Sequence, residues 1–260
     1  MSPEAGLASL LAALDPGTVL VLAGIAFLGS FIYGVTGFGA GLITIPLASN
    51  LYEMRFVLAV YALLDLVNVV RVMLSQPRAV VREEAVRLVP TCVLGVVAGA
   101  ALVLVLKPWI LMLALGLFVL AYAVYSLAMG RRLPVVSMRW AYVAGVTGGV
   151  TSAMFGAGGP PYAVYLSMRP HDKEQTRATL AVTSLVSIGL RVVVFGIAGL
   201  LTPVPVWMTA LCILPATLLA LWLAERVHRA ISREAVMTAI RVLLVLAGGS
   251  LVLRAMMAAG

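Results

Sequence analysis

Residues 33–47 read YGVTGFGAGLITIPL, with Gly34, Gly37, Gly39 and Gly41 inside eight residues and Pro46 soon after. Glycine and proline are poor residues for a helix interior. Here they interrupt a run apolar enough to have crossed a bilayer. A related stretch, GVTSAMFGAGGPPYAVYL, returns at residues 149–166. The fold turns on what these two interruptions do.

The surrounding chain fixes the solvent. Its 260 residues are 63% hydrophobic and 11% charged, with mean hydropathy +1.11. Soluble domains carry about 45–50% apolar and about 25% charged residues. The sequence therefore reads as an integral membrane protein with no separate soluble domain. The net charge of +8 sits mainly in short loops between apolar segments. That is the positive-inside pattern, so nucleic acid is not expected as a partner. Met1 to Pro16 has no Lys or Arg and lacks the basic start of a secretory signal peptide. Cys92 and Cys212 lie in apolar segments and read as small buried residues. No metal-ligand spacing is present, and no cofactor is expected.

A spanning helix needs about 20 mostly apolar residues. Six stretches qualify: Phe56–Leu74, Leu88–Leu106, Trp109–Met129, Ala178–Leu200, Val204–Ala224 and Ala235–Met257. Two longer ones, Val19–Ser49 and Trp140–Met168, contain the glycine-rich elements. Each is long for one span and short for two. The loops Ser75–Arg87, Gly130–Arg139, Arg169–Arg177 and Glu225–Arg233 are strongly basic, whereas those near Lys107 and Pro203 are not. If each glycine-broken segment is a hairpin with both ends on one side, all four basic loops fall in the cytoplasm. Both termini then fall outside. Each half becomes a hairpin plus three spans, so the halves are inverted relative to each other. The expected fold is an all-α polytopic membrane protein of two inverted repeats, residues 1–130 and 131–260. The first holds a hairpin at 19–49, the second a hairpin at 140–168. Phe38-Gly39-Ala40-Gly41 echoes Phe155-Gly156-Ala157-Gly158, and Arg71 and Cys92 echo Arg191 and Cys212.

Inverted repeats with interrupted helices are a recurring transporter design. Irregular backbone survives in a membrane only inside protein or along a wet cavity. Glycine permits a sharp turn and close approach of a ligand to the main chain. The half-helix after each break offers free N–H groups and a partial positive charge, which suits an anion. Two such ends meeting near the midplane would form a positive cradle. The candidate binding residues are Gly37, Phe38, Gly39, Ala40 and Gly41, with Phe155, Gly156, Ala157, Gly158 and Gly159. The alternative is close helix packing, since Gly37 and Gly41 satisfy the small-xxx-small spacing.

With GVTGFGAGLITIPL near the N-terminus and GGVTSAMFGAGGPPYAVYL in the middle, the chain resembles the TauE/SafE family of sulfite or sulfonate exporters. The resemblance extends over length, motif spacing and segment count. It implies a secondary transporter of the bacterial cytoplasmic (inner) membrane. The implied substrate is a small sulfur-containing anion such as sulfite, sulfoacetate or a related organosulfonate, moved outward. The paired motif does not select one substrate.

Ionisable residues inside a membrane are costly and are functional candidates. Asp65, Arg71, Arg191 and Arg241 stand out. Arg71 and Arg191 present planar donor forks suited to oxyanions, and both are candidate anion ligands. The alternative is snorkelling to the interface, which fits Arg71 and Arg241 better than the deeper Arg191. A carboxylate at low dielectric holds a proton more readily. Asp65 is thus a candidate proton carrier, or one half of a static ion pair. Asn68 and Arg71 share its face of the helix. Ser184, Ser187 and Arg191 form a comparable face in the second half. Asn68, Ser187, Tyr33 and Tyr165 are candidates for coupling or gating, and the two tyrosines have interfacial placement as the alternative. His171, His228 and the Arg82-Glu83-Glu84 stretch read as solvated loop residues. The expected partners are the anion, the bilayer and a second copy of the chain. An anion channel and a membrane-embedded enzyme are the competing classes. The enzyme lacks a partner acid or histidine near Asp65.

Overall fold

The computed structural model describes residues 16–75, 79–128, 135–227 and 233–259. Among these the chain forms ten α-helices and no strand: α1 Pro16–Thr36, α2 Ala40–Ser49, α3 Met54–Ser75, α4 Arg82–Val105, α5 Pro108–Ala128, α6 Trp140–Phe155, α7 Gly159–Ser167, α8 Lys173–Ile197, α9 Val204–Val227 and α10 Arg233–Ala259. Seven are long and apolar enough to cross a bilayer: α1, α3, α4, α5, α8, α9 and α10. The chain is a multi-pass helical membrane protein. Its large apolar side chains Leu20, Leu94, Val105, Leu211 and Leu246 point outward, which in a bilayer places them in lipid.

All six expected spans are present, α4 with a shifted start, and the first arm of the expected hairpin at 19–49 is itself a long helix. Helix α1 runs unbroken for 21 residues, because nothing before Gly37 interrupts it. It is long enough to cross alone, whereas the returning arm α2 has only 10 residues. Helix α4 starts at Arg82, six residues before the expected Leu88. Glu83 and Glu84 occupy its first turn, where carboxylates complement the positive end of the helix. The Arg82-Glu83-Glu84 stretch is therefore helical, not loop. Arg78, Met129, Arg131, Arg132, His228 and Arg229 lie outside the described residues.

Each glycine break folds its helix back on itself. In the first hairpin Gly29 of α1 makes room for α2: a Cβ there would overlap the Thr44 methyl and approach the Ala40 carbonyl to 3.2 Å. In the second, a Cβ on Gly148 of α6 would overlap the Tyr162 ring of α7. The open end of the second hairpin is tied by Val136 N–H donating to the Met168 carbonyl at 3.2 Å. The open end of the first, at Asn50, receives hydrogen bonds from Arg254 and Ser250 of α10.

The membrane offers no hydrophobic drive between helices, so packing relies on close backbone approach. Gly95 of α4 faces Gly149 of α6, while Gly99 of α4 packs on Val150 and Gly145 of α6 on Leu88 and Thr91. A Cβ on Gly95 would fall on the Val146 carbonyl, and one on Gly149 on the Cys92 carbonyl. This seam holds the long arm of the second hairpin. Gly116 of α5 and Gly248 of α10 make a looser version. Cys92 is buried at the α4 seam. Cys212 is exposed, on the outer face of α9, which corrects the expectation that both were buried.

Basic residues at one end of the bundle serve as helix caps. Arg55 donates to the carbonyls of Val103, Leu104 and Leu106 at the C-terminal end of α4, and Arg254 to those of Ser49 and Asn50 at the end of α2. Cations favour the C-terminal end of a helix dipole.

Candidate functional site

The two hairpins touch through their breaks. Gly37 and Gly39 have φ of 85° and 92°, and Gly156 has φ of 63°. Side-chain-bearing residues rarely adopt such values. At the contact, a Cβ on Gly41 would fall on the Gly156 carbonyl, and one on Gly159 would lie 2.9 Å from the Phe38 Cβ. Ala40 and Ala157 are buried beside them. Gly158 packs against the Gly148 carbonyl. Phe155 points away and stacks on Phe118, with ring centroids 5.5 Å apart.

Beneath this contact lies Arg191 of α8, fully buried. Its Nη2 donates to Asp65 Oδ2 at 2.7 Å, and its Nη1 to the Ser152 carbonyl at 2.8 Å. The same carbonyl accepts the Gly156 N–H at 3.0 Å. Arg191 is thereby fastened to the turn that ends α6. A Cβ on Gly156 would sit 3.0 Å from its Nη1, so glycine is what lets the guanidinium reach the break. Arg191 Nε has no partner among the described residues. An unpaired charge here would be costly. Asp65 and the negative, C-terminal end of α6 compensate it together. Of the two readings of Asp65, the ion pair is the one the structure displays. Asn68, one turn on, lies close to the same carboxylate.

The two half-helix starts are not equivalent. Neither Gly39 nor Gly158, the residues preceding α2 and α7, supplies a side-chain cap. In α7 the following Pro160 and Pro161 have no N–H to offer. The expected pair of matching N–H cradles is thus a full one at α2 and a depleted one at α7.

Nor do the breaks share one level. Gly156 lies against Arg191, whereas Gly37 lies against Arg177, with a Cβ there 3.4 Å from Arg177 Nε. These arginines are separated by about 21 Å along α8. The breaks overlap at Gly41 and Gly156 rather than meeting tip to tip at the midplane.

Other expected site residues are scattered. Arg71 is outside this cluster: it is half-exposed and paired with Glu225 at 2.8 Å. It lies two turns beyond Asp65 and emerges at the surface. Arg241 donates to Ser126 Oγ and its carbonyl. Tyr33 is buried, not interfacial, and its hydroxyl has no partner among the described residues. Ser187 takes part in a buried group, 3.4 Å from the Tyr162 hydroxyl, which also donates to Cys92 Sγ at 3.2 Å.

Tyr165 belongs to a different group. Its hydroxyl donates to Glu84, which also accepts from Arg169 Nε at 2.7 Å and lies 3.0 Å from His171 Nε2. Glu84 is completely buried, and the hydrogen bond to it raises the Arg169 pKa above its ordinary value. Arg169 Nη1 donates to the Val136 carbonyl. The four residues lock the open end of the second hairpin to α4. His171 is therefore a largely buried partner of Glu84, not a solvated residue. Only the start of α4 at Arg82 would have exposed this in the sequence.

A cavity of about 570 Å³ opens between α5, α6 and α7, lined by Tyr122, Tyr125, Trp140, Pro160 and others. It contains no ionised side chain and does not reach Arg191. Among the described residues no cluster of His, Cys, Asp and Glu could hold a metal ion.

Long apolar helices, two broken hairpins in contact and a buried charge pair beneath them define a polytopic helical membrane protein. The sequence model of the family described as Sulfite exporter TauE/SafE matches residues 22–251. The chain belongs to that family. No curated protein and no solved structure matches it.

Proposed function

We propose that the protein is a secondary transporter for a small sulfur-containing anion: sulfite, sulfoacetate or a related organosulfonate. The observation that carries this reading is Arg191. It is a fully buried guanidinium held between Asp65 and the Gly156 turn, with one donor, Nε, unused. A planar fork of this kind suits an oxyanion, and family membership supports a sulfur oxyanion. The anion displaces or joins Asp65 at Arg191, next to the exposed backbone of the breaks. Proton uptake by Asp65 frees Arg191 for the anion, which couples the two movements. The hairpins then move against the remaining helices in alternating access.

The direction is export, across the bacterial cytoplasmic membrane. The basic loops face the cytoplasm and both termini lie outside. The two halves, 1–130 and 131–260, are read as inverted repeats. The opposite placement of the hairpin ends, one beside Arg254 and one beside Glu84, supports this. The working unit is read as a homodimer. No catalytic role is assigned to any residue.

The test is ligand-induced thermal stabilisation of the purified protein with sulfite, sulfate, thiosulfate, sulfoacetate, taurine and an aliphatic carboxylate. A ligand that binds only the folded state raises its apparent stability. A selective shift, followed by saturable uptake of that anion into proteoliposomes, is the expected outcome. Non-saturating anion conductance without proton movement would establish the channel instead.

A further inference from the structure

We propose a second anion-binding station, at Arg177 and Tyr33 beside the first glycine break, distinct from Arg191 and nearer the basic end of the bundle. It would bind the same class of ligand, a small oxyanion, and it rests on the transporter reading above.

Arg177 lies in the second turn of α8, just after the basic segment that carries Arg169. Among the described residues it has no carboxylate partner. Its single hydrogen bond is a long one, Nη2 to the Gly34 carbonyl at 3.4 Å. Its Nε is shielded from solvent and unpartnered. It thus lacks the carboxylate that matches Arg191 and Arg169, and its bond to a helix-end carbonyl is longer than those of Arg55 and Arg241. Arg191 is matched by Asp65 and Arg169 by Glu84, while Arg55, Arg241 and Arg254 donate to carbonyls at helix ends.

Beside Gly34, whose carbonyl Arg177 reaches, stands Tyr33, 4% exposed, with an unpartnered hydroxyl. Tyr33 is close enough for its charge state to be felt by Arg177, and it feels Asp65 in turn. On α3 Asn68, 1% exposed, has an unpartnered Oδ1 and lies close to Asp65. Unsatisfied buried polar atoms are rare, and each needs an explanation. Here Tyr33 packs against Ala40, Val69, Val72 and Ile188, and Arg177 reaches the carbonyl of the residue that follows it. An oxyanion accepting from Arg177 Nε and the Tyr33 hydroxyl would satisfy the two donors. Gly37 is the backbone position where it would come closest to the main chain, a Cβ there lying 3.4 Å from Arg177 Nε. From there Tyr33 and Asn68 lead to Asp65, and so to Arg191. The arrangement is a two-step path along α8 with a cationic stop at each glycine break.

Sulfate and sulfite binding to the purified full-length protein, and sulfite transport in proteoliposomes, test this with Arg177→Gln, Arg177→Lys and Tyr33→Phe. The expected result is that Arg177→Gln weakens binding at least tenfold and raises the transport KM by a similar factor, with the maximal rate within about twofold. Arg177→Lys should fall between it and the parent. Tyr33→Phe is the decisive variant. Its hydroxyl bonds nothing in the folded chain, so a structural role predicts no change. The proposal predicts weaker binding with an unlowered Tm. Unchanged binding and KM in both Arg177→Gln and Tyr33→Phe would overturn the station and leave the Arg191 reading intact. Arg177-dependent binding without transport of any sulfur anion would uphold the station and overturn the transporter reading. No binding of either anion to the parent protein would overturn both.

Discussion

Gly41 and Gly156 meet backbone to backbone, one from each broken helix: a Cβ on Gly41 would fall on the Gly156 carbonyl, and one on Gly156 would lie 3.0 Å from Arg191 Nη1 and from Ile45. This contact brings the two hairpins together and places the Gly156 turn over Arg191.

Gly41→Ala should therefore be far more damaging than its size suggests. The added methyl falls on a backbone carbonyl, which cannot swing aside as a side chain can. Transport should be lost and Tm lowered. Gly39→Ala meets no atom within 4 Å but must hold a left-handed backbone, at a cost of about 1–2 kcal/mol. Gly24→Ala, in open space within α1, should be neutral or about 0.5–1 kcal/mol more stable. Thermal melts of the three variants in one detergent check this order.

Asp65 and Arg191 should behave as a unit. Removing one partner of a buried ion pair costs about 3–5 kcal/mol, because the other charge is left uncompensated. Asp65→Asn and Arg191→Gln should each lower stability by that order. The double variant should lose clearly less than the sum, in a double-mutant cycle of melting curves. Additive losses would show that the two charges are stabilised independently. Separately, retained pH dependence of transport in Asp65→Asn would remove its coupling role.

The Arg71–Glu225 pair makes the opposite case. Both side chains are about half-exposed, and exposed pairs contribute about 0–1 kcal/mol. Arg71→Ala should leave Tm and transport close to the parent. A loss of transport comparable to that of Arg191→Gln would return Arg71 to the anion path.

Glu84 is the acceptor on which Tyr165, Arg169 and His171 converge. Hydrogen bonds to charged groups contribute about 1.5–3 kcal/mol each. Tyr165→Phe should cost about one such bond. Glu84→Ala should cost more, since it leaves Arg169 with only the Val136 carbonyl. Protease sensitivity at residues 135–139 and 168–172 should rise in Glu84→Ala if the open end of the second hairpin loosens.

The helical, multi-pass class was legible from residue order alone, because twenty apolar residues in a row have few alternatives in a bilayer. The breaks were legible for a similar reason. Glycine clusters and prolines act through local backbone geometry, which sequence neighbours decide. Asp65 and Arg191 could be picked out singly, since any ionisable residue in an apolar span stands out. What the tertiary structure alone decided was partnership. Asp65 and Arg191 are 126 positions apart, and their pairing depends on how α3 and α8 rotate against each other. That rotation sends Arg71, on nearly the same face as Asp65, outward to Glu225. The same holds for Glu84, where three partners converge from beyond 80 positions away. It holds too for Arg177, which reads as the last cation of a basic loop until Gly37 and Tyr33 are found beside it. Local chemistry fixes where a chain turns. Which charges then face one another is settled by packing, and in this protein largely by glycines that let backbones touch.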